Sequence, residues 1–203
     1  MCQFLETIQL CDGQFMRLSR HQVRLKRALF DFYPNAVVPS LHDKLSETTF
    51  PTAGLYKCRV IYDAEIRLIE FQSYVHPVIR TLQVVETTIP SLPYKMADRM
   101  DYQSAFAQKG ACDDVLLVAN GLITDTSYCN IALFDGKNWF TPRLPLVQGV
   151  NRAQLLEEGI LIEKDINLEE LMNFQKIALF NALNEFKSIQ LEISAISAIN
   201  ILK

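Results

Sequence analysis

The sequence predicts a mixed α+β fold in two lobes, and three observations lead to this interpretation. Apolar and polar residues alternate over residues 4–10, which is the period-two pattern of a half-buried strand. Apolar residues recur at helical spacing over residues 23–32. The proline-containing segment TTIPSLPYK indicates a connection. The predicted domains are therefore a small α/β lobe over residues 1–87 and a larger lobe over residues 88–203.

Local signals justify the elements of the first lobe. Residues 12–13, an Asp-Gly pair, predict a hairpin turn. Ser19, with Gln22 three residues later, predicts a capped helix that ends at Pro34. Ser40 predicts the cap of a short second helix. The predicted strands cover residues 4–10, 14–18, 56–62, 66–71 and 78–85, and the second helix covers residues 41–45.

The second lobe mixes helices and strands in the same way. Asn120-Gly121 is the strongest hairpin signal in the chain. Gly110 and Gly159 predict helix ends, because glycine readily adopts the left-handed conformation found there. The predicted helices cover residues 98–109, 151–158 and 168–174, and the predicted strands cover residues 115–119, 122–124, 130–134, 177–180 and 189–202.

Composition excludes several classes of function. The 203 residues carry 20 basic and 23 acidic side chains, so the net charge of −3 offers no basic field for a nucleic acid. Five cysteines without a C-x-x-C pair indicate free thiols in a reducing compartment, and three scattered histidines predict no metal site. No secretory signal and no long apolar run is found, so we expect a cytoplasmic protein without a membrane segment. The glycine-rich nucleotide-binding motifs are also absent.

Two residues at and after the predicted connection can carry chemistry. Lys95 follows the connection, and clefts between lobes are common ligand sites. A lysine amine in a cleft can form a Schiff base with an aldehyde, although a solvated surface lysine has the same local sequence. Asp125 lies in the hairpin segment NGLITDTSYCN, where a carboxylate can keep a pyridinium nitrogen protonated. The alternative is an ordinary acidic turn residue.

Two further positions suit a phosphate group. Gly149 directly precedes a predicted helix, and the N–H groups at a helix start bind anions. Arg24 shares a helical face with His21 in HQVRL, and its guanidinium group can hold a phosphate through two hydrogen bonds. One glycine before a helix is a weak signal, and the other basic residues beside Arg24 equally indicate a solvated helix face.

Taken in order, these segments resemble the class IV aminotransferase family, the fold-type IV pyridoxal-phosphate enzymes. That family includes branched-chain aminotransferases, D-amino acid aminotransferases and aminodeoxychorismate lyases. The resemblance runs through most of the chain, in LETI, HQVRL, KMADR, GLITDTSYCN, TPRLPLVQGVNRAQLLEEG and IALFNAL. It implies a two-lobed fold-type IV architecture, here with a shortened N-terminal lobe because the chain begins almost at LETI.

The resemblance implies a role for each matching residue. Lys95, in the larger lobe, would form the Schiff base with pyridoxal 5'-phosphate and later move a proton. Arg24 would hold the cofactor phosphate. Asp125, where the family usually has glutamate, would face the pyridine nitrogen. The residues that would complete the cofactor site at the helix start and at a second loop are Gly149, Val150, Asn151, Asn181 and Ala182.

The activity implied by the resemblance is transamination of an amino acid through the lysine Schiff base, by a homodimer. Two alternatives stay open. One is a 4-amino-4-deoxychorismate lyase that releases 4-aminobenzoate and pyruvate, which the opening LETIQL favours. The other is a degenerate member that binds the cofactor without turnover, which the aspartate at position 125 and the short N-terminus favour. Arg59 is a candidate for a substrate carboxylate, although strand alternation equally allows a solvated side chain.

Overall fold

A computed structural model describes residues 2–197 and divides them into two units. The first unit contains the chain up to His76 together with Pro93–Asp98, and the second contains Pro77–Leu92 and the chain from Arg99 onward. The predicted lobes meet at a single point in the sequence, after residue 87, whereas each observed unit is made of two separate stretches of the sequence. The reason is backbone pairing, because Leu5 N donates to Lys95 O at 2.8 Å and Ala97 N donates to Gln3 O at 2.9 Å. Lys95 therefore lies in the first unit.

The first unit is an antiparallel sheet with helices packed on one face. Its elements are β1 (Phe4–Cys11), β2 (Gln14–Phe15), α1 (Leu18–Phe32), α2 (Leu41–Ser46), β3 (Leu55–Tyr62) and β4 (Ile66–Ser73), and the strands lie in the order β2-β1-β3-β4. Phe4 and Ile8 of β1 are fully buried and share a core cluster with Leu25 and Leu29 of α1. Since side chains alternate along a strand, the residue between them on that face, Glu6, is buried beneath α1 as well.

The two predicted helix caps of this unit have different outcomes. Ser40 is confirmed, because its Oγ accepts a hydrogen bond from the Asp43 backbone at 3.2 Å. Ser19 is wrong, because α1 begins at Leu18 and its cap residue is Arg17, in the left-handed region at φ 54°. The chain leaves the sheet after the two residues of β2, so the strand predicted over 14–18 ends early and Ser19 already lies in the first helical turn.

The second unit is built on a mixed sheet. Its elements are β5 (Leu82–Glu86), α3 (Met100–Phe106), β6 (Asp114–Ala119), β7 (Leu122–Thr126), β8 (Asn130–Phe134), β9 (Trp139–Pro142), α4 (Val150–Glu157), β10 (Leu161–Lys164), β11 (Lys176–Phe180), β12 (Ile189–Glu192) and β13 (Ile196–Ser197). The strand order is β10-β9-β8-β7-β6-β5-β13, and β11 pairs with both β8 and β12. Pairing is parallel for β9 with β10 and for β5 with β6 and β13.

Several predictions for the second unit are confirmed and others are corrected. Asn120 and Gly121 have φ values of 52° and 77°, as a two-residue hairpin turn of this type requires. The helix predicted over 168–174 is a 3-10 helix, and the strand predicted over 189–202 is broken by a 3-10 turn at Ile193–Ala195. Residues 198–202 of that strand lie outside the described residues.

The combination of sheets and helices confirms the predicted mixed α and β fold class. Within residues 2–197, no helix has both the length and the apolar character needed to cross a membrane.

Candidate active site

The amine of Lys95 lies over one face of the first unit's sheet. Lys95 Nζ donates a hydrogen bond to Thr7 Oγ1 at 3.1 Å, and the lysine side chain is half-buried. Thr7 is paired in register with Arg59 of β3, which is paired in turn with Glu70 of β4. Directly paired residues of antiparallel strands point to the same face of a sheet. The lysine amine, the threonine hydroxyl and the Arg59 side chain therefore belong to one face.

Arg59 forms an ion pair with Glu70 and both side chains are half-buried. A guanidinium group held by a neighbouring carboxylate keeps a defined direction, and its remaining N–H groups suit a carboxylate ligand. Its assignment to the substrate stays a prediction.

The opposite face carries a buried cluster that we call the Glu6 cluster, formed by Glu6, His21 and Arg24. Arg24 donates from Nε to Glu6 Oε1 at 2.9 Å and from Nη2 to Glu6 Oε2 at 2.6 Å. The His21 Nδ1 atom lies 2.5 Å from Glu6 Oε2. Glu6 and His21 are completely buried, and Arg24 is 8% exposed. The predicted phosphate ligand Arg24 is thus held along one edge by a carboxylate.

The charges of the Glu6 cluster are nearly balanced. Burial opposes ionisation of Glu6, but the Arg24 charge and the hydrogen bonds from His21 and Arg24 outweigh it and lower the Glu6 pKa to about 2. Burial lowers the pKa of His21, so its ring is neutral at pH 7 and donates from Nδ1. Among the described residues, His21 Nε2 is buried without a hydrogen-bond partner. Burial and the neighbouring Glu6 charge raise the pKa of Tyr62, whose hydroxyl also belongs to the surroundings of the cluster.

In the second unit, Asp125 of β7 is paired in register with Asn130 of β8. Asn130 Nδ2 donates to Asp125 Oδ1 at 2.9 Å, and the Val147 backbone donates to Asp125 Oδ2 at 3.1 Å. Burial raises the pKa of Asp125 to about 6, and these two hydrogen bonds oppose the rise. Asp125 is therefore a buried carboxyl group in a fixed orientation, not an exposed turn residue.

Packing requires a glycine at position 149, in addition to its predicted role at an anion site, which stays a prediction. Its φ of −69° is open to any residue, so conformational freedom does not explain it. A Cβ atom at this position would lie 1.9 Å from Asn130 Oδ1. Asn130 also donates to Val147 O at 2.9 Å, so the absence of a side chain at Gly149 lets one amide bind both Asp125 and the loop.

The helix start and the second loop, predicted to bind one phosphate, meet in the structure. Gly149 is the cap residue of α4, which begins at Val150. Asn151 Nδ2 donates to Asn181 O at 2.8 Å. Asn181 Oδ1 in turn accepts from the Leu183 and Asn184 backbones at 2.7 and 2.9 Å, which folds the loop around Ala182.

Sequence reasoning missed three of these polar residues as site candidates. Thr7 and Glu6 lie within LETI, and Asn130 follows Asp125 at a spacing of five. Their roles depend on partners from other elements, which local patterns do not show. Arg99, within KMADR, was also missed. Its guanidinium carbon lies 3.2 Å from the centre of the Tyr102 ring, and burial lowers its pKa.

Comparison with known proteins places the chain in a family. The sequence model of the amino-transferase class IV family matches residues 3–191. An uncharacterized protein of Haemophilus influenzae is 35% identical over 187 residues, which cover 91% of this chain and 99% of that protein.

Two solved structures have the same fold. A proposed 4-amino-4-deoxychorismate lyase from Haemophilus somnus has 30% sequence identity and a TM-score of 0.84, covering 91% of this chain and 98% of that one. A proposed amino-acid aminotransferase from Mesorhizobium loti has 21% identity and a TM-score of 0.80, covering 98% of this chain and 100% of that one.

The fold shared with these structures defines the class of protein, a fold-type IV enzyme of mixed α and β structure. The chain belongs to the class IV amino-transferase family, which makes it a pyridoxal-phosphate-dependent enzyme. The resemblance found in the sequence motifs is thereby confirmed.

Proposed function

We propose that this chain is a 4-amino-4-deoxychorismate lyase in which Lys95 binds pyridoxal 5'-phosphate covalently and moves the substrate proton. The observation that carries the proposal is the pairing of Lys95 Nζ with Thr7 Oγ1, on the sheet face that also bears Arg59. The 30% identity to a proposed lyase over nearly the whole chain favours this reaction among those of the family.

The residues suit the chemical groups of the cofactor. Arg24 supplies a guanidinium group of fixed direction for the phosphate. Although Lys95 and Arg24 lie on opposite faces of the sheet, burial and, to a smaller extent, the Lys95 charge lower the pKa of His21, so the amine acts within electrostatic range of the Glu6 cluster. We assign further phosphate donors to the start of α4, where the first N–H groups have no partner within the helix, at Val150 and Asn151. The loop at Asn181 and Ala182 contacts that helix start and completes the proposed donors.

Asp125 suits the ring nitrogen. Both of its oxygens already accept one hydrogen bond, and each retains a further lone pair for a pyridinium N–H group. A positive charge at that nitrogen favours the ionised carboxylate, which opposes the effect of burial on the Asp125 pKa. Bound pyridoxal phosphate supplies an electrophilic carbon and an electron-withdrawing ring.

The chain's own residues move and hold the reacting groups. Lys95 Nζ takes the proton from the amine-bearing carbon as general base, and Thr7 Oγ1 keeps the amine in place. Arg59 receives a carboxylate of the substrate. Loss of this proton and breakage of the bond between the neighbouring ring carbon and the ether oxygen make the substrate ring aromatic. The leaving enolpyruvate takes up a proton on its terminal carbon and becomes pyruvate. The balance needs no acceptor and yields 4-aminobenzoate.

Transamination is the second candidate, and the family match over residues 3–191 supports it. It uses the same proton removal by Lys95 but requires a keto acid to complete the cycle. The two reactions therefore differ in one measurable requirement, the amino acceptor.

Two experiments test the proposal, beginning with the lysine. The protein is loaded with pyridoxal phosphate, reduced with borohydride and digested, and the modified peptide is identified by mass. We expect the label on Lys95. Lys95→Ala should lose the label and the activity, whereas Lys57→Ala, which removes a lysine from the neighbouring position of the same sheet face, should retain both. A label elsewhere contradicts the assignment.

The second experiment separates the reactions. The enzyme is incubated with 4-amino-4-deoxychorismate alone, and separately with amino acids and 2-oxoglutarate. Release of 4-aminobenzoate and pyruvate without an acceptor supports the lyase. Glutamate formed only in the second mixture establishes transamination instead, and a labelled protein inactive in both mixtures is a degenerate member. We also propose a homodimer, as the resemblance implies, and light scattering measures its mass. A cytoplasmic location stays a prediction from the cysteine pattern of the sequence.

A further inference from the structure

We propose that Glu6 is a positioning residue for Arg24, and that it acts with His21 to hold the guanidinium group in the direction required for an anionic phosphate. This inference rests on the proposed function, in which Arg24 binds the phosphate of pyridoxal phosphate. Glu6 touches neither cofactor nor substrate in the proposal. It acts only through Arg24.

The geometry supports positioning because two bonds fix a rigid group. Glu6 binds the Nε and Nη2 atoms of Arg24 at 2.9 and 2.6 Å, which is a two-point contact along one edge of the guanidinium plane. That plane is rigid, so fixing one edge fixes the direction of the whole group. A single hydrogen bond would leave it able to rotate.

His21 fixes Glu6, the carboxylate that holds Arg24. Its Nδ1 atom lies 2.5 Å from Glu6 Oε2, the oxygen that also accepts from Arg24 Nη2. The carboxylate therefore has no freedom to rotate away from the arginine. Because His21 is buried and neutral, it orients Glu6 without adding charge.

Stability alone is a weak reason for such a cluster. Burying an ion pair removes two charges from water, which costs free energy. Well-packed apolar side chains in its place often give a core of equal or greater stability. Glu6 lies between Phe4 and Ile8 on the apolar face of β1, where an apolar residue would fit the pattern of the strand. A need to orient Arg24 explains a carboxylate at this position.

A role of Glu6 in weakening the Arg24 charge and a role in positioning Arg24 predict opposite effects of a Glu6 variant on phosphate binding. If Glu6 mainly weakened the positive charge of Arg24, its neutralisation would strengthen the binding of an anion. If it positions Arg24, neutralisation weakens the phosphate interaction, because glutamine accepts through one oxygen only.

The measurement compares pyridoxal phosphate with pyridoxal, which lacks the phosphate. Dissociation constants for both are obtained by absorbance titration of the cofactor-free protein. The dissociation constant of pyridoxal divided by that of pyridoxal phosphate is the ratio that reports the phosphate interaction, and a high ratio means a strong preference for the phosphorylated form. We expect Glu6→Gln to lower the preference for the phosphorylated form about tenfold, the equivalent of about 1.4 kcal/mol. Arg24→Gln should lower it at least as much, and Glu6→Gln should have no further effect in the Arg24→Gln background.

Asp63→Asn is the matched control. Asp63 is 3% exposed and binds Arg67 Nε through both oxygens at 2.8 and 2.9 Å in the same unit, so its loss tests the general effect of breaking such a pair. We expect an unchanged ratio. If Glu6→Gln fails to fold, Glu6→Asp, which keeps the charge but shortens the side chain, should lower the ratio in the same direction.

The outcomes separate this inference from the proposed function. An unchanged ratio in Arg24→Gln overturns the role of Arg24 itself. A lowered ratio in Arg24→Gln with an unchanged or raised ratio in the Glu6 variants overturns positioning by Glu6 and leaves the proposed function standing.

Discussion

Replacing Gly149 with alanine should force Asn130 away from Asp125. The added Cβ would lie 1.9 Å from Asn130 Oδ1, whereas ordinary contact begins at 3.4 Å, so the amide must move by about 1.5 Å, the difference of the two distances. Its hydrogen bonds to Asp125 Oδ1 and Val147 O are both 2.9 Å long and do not survive such a shift.

The expected loss of stability combines two contributions. Overpacking destabilises by about 1–3 kcal/mol, and loss of a hydrogen bond to a charged group costs about 1.5–3 kcal/mol. We expect the free energy of unfolding to fall by about 3 kcal/mol, and the midpoint temperature of a chain of this size by about 6–12 °C. The φ of −69° at Gly149 adds no backbone strain.

Urea unfolding of the single and double variants measures this coupling. Asn130→Ala removes the side chain that collides with the new Cβ, so Gly149→Ala should cost little in that background. The Asn130→Ala protein alone is the reference for the lost hydrogen bonds. Equal losses from Gly149→Ala in both backgrounds would refute the reasoning, since the collision would then not be its cause.

Three further results are expected. The stability advantage of the wild-type protein over Glu6→Gln should shrink as the pH falls from about 4.5 to about 2. The folded-state pKa of Glu6 is lowered, so the unfolded chain takes up the proton first as the pH falls. Measurement of the free energy of unfolding over this pH range checks the expectation. Asp125 should act in the opposite sense, since its folded-state pKa is raised. Wild-type stability relative to Asp125→Asn should fall as the pH rises from about 4 to about 6, and no such slope would contradict burial of the charge. Burial raises the thiol pKa of Cys58 and Cys129 to about 12, whereas Cys2 is exposed. Iodoacetamide should therefore label Cys2 in the folded protein, and should label Cys58 and Cys129 only after unfolding. Peptide mass spectrometry identifies the labelled cysteines.

Arg152 illustrates how far residues of the second unit depend on tertiary partners. It is 5% exposed, and its Nη2 atom donates to Pro142 O and Glu163 Oε1, both at 2.7 Å. These contacts join α4 to the end of β9 and to β10. Neither of those two short strands was predicted, because four-residue strands paired in parallel lack the long alternation that identifies a strand in sequence.

The sequence by itself determined the features that depend on a few neighbouring residues. The Asn120-Gly121 turn and the Ser40 cap follow from the conformations and hydrogen bonds open to those side chains. The order of the motifs was sufficient to identify the family.

Only the tertiary structure decided which distant groups meet. The pairing of the Lys95 segment with β1, the contact of Glu6 with Arg24 eighteen residues away and the collision that excludes a side chain at Gly149 all join separate elements. The physical reason is that a buried polar group must find its partner wherever packing brings one, and packing depends on the whole chain.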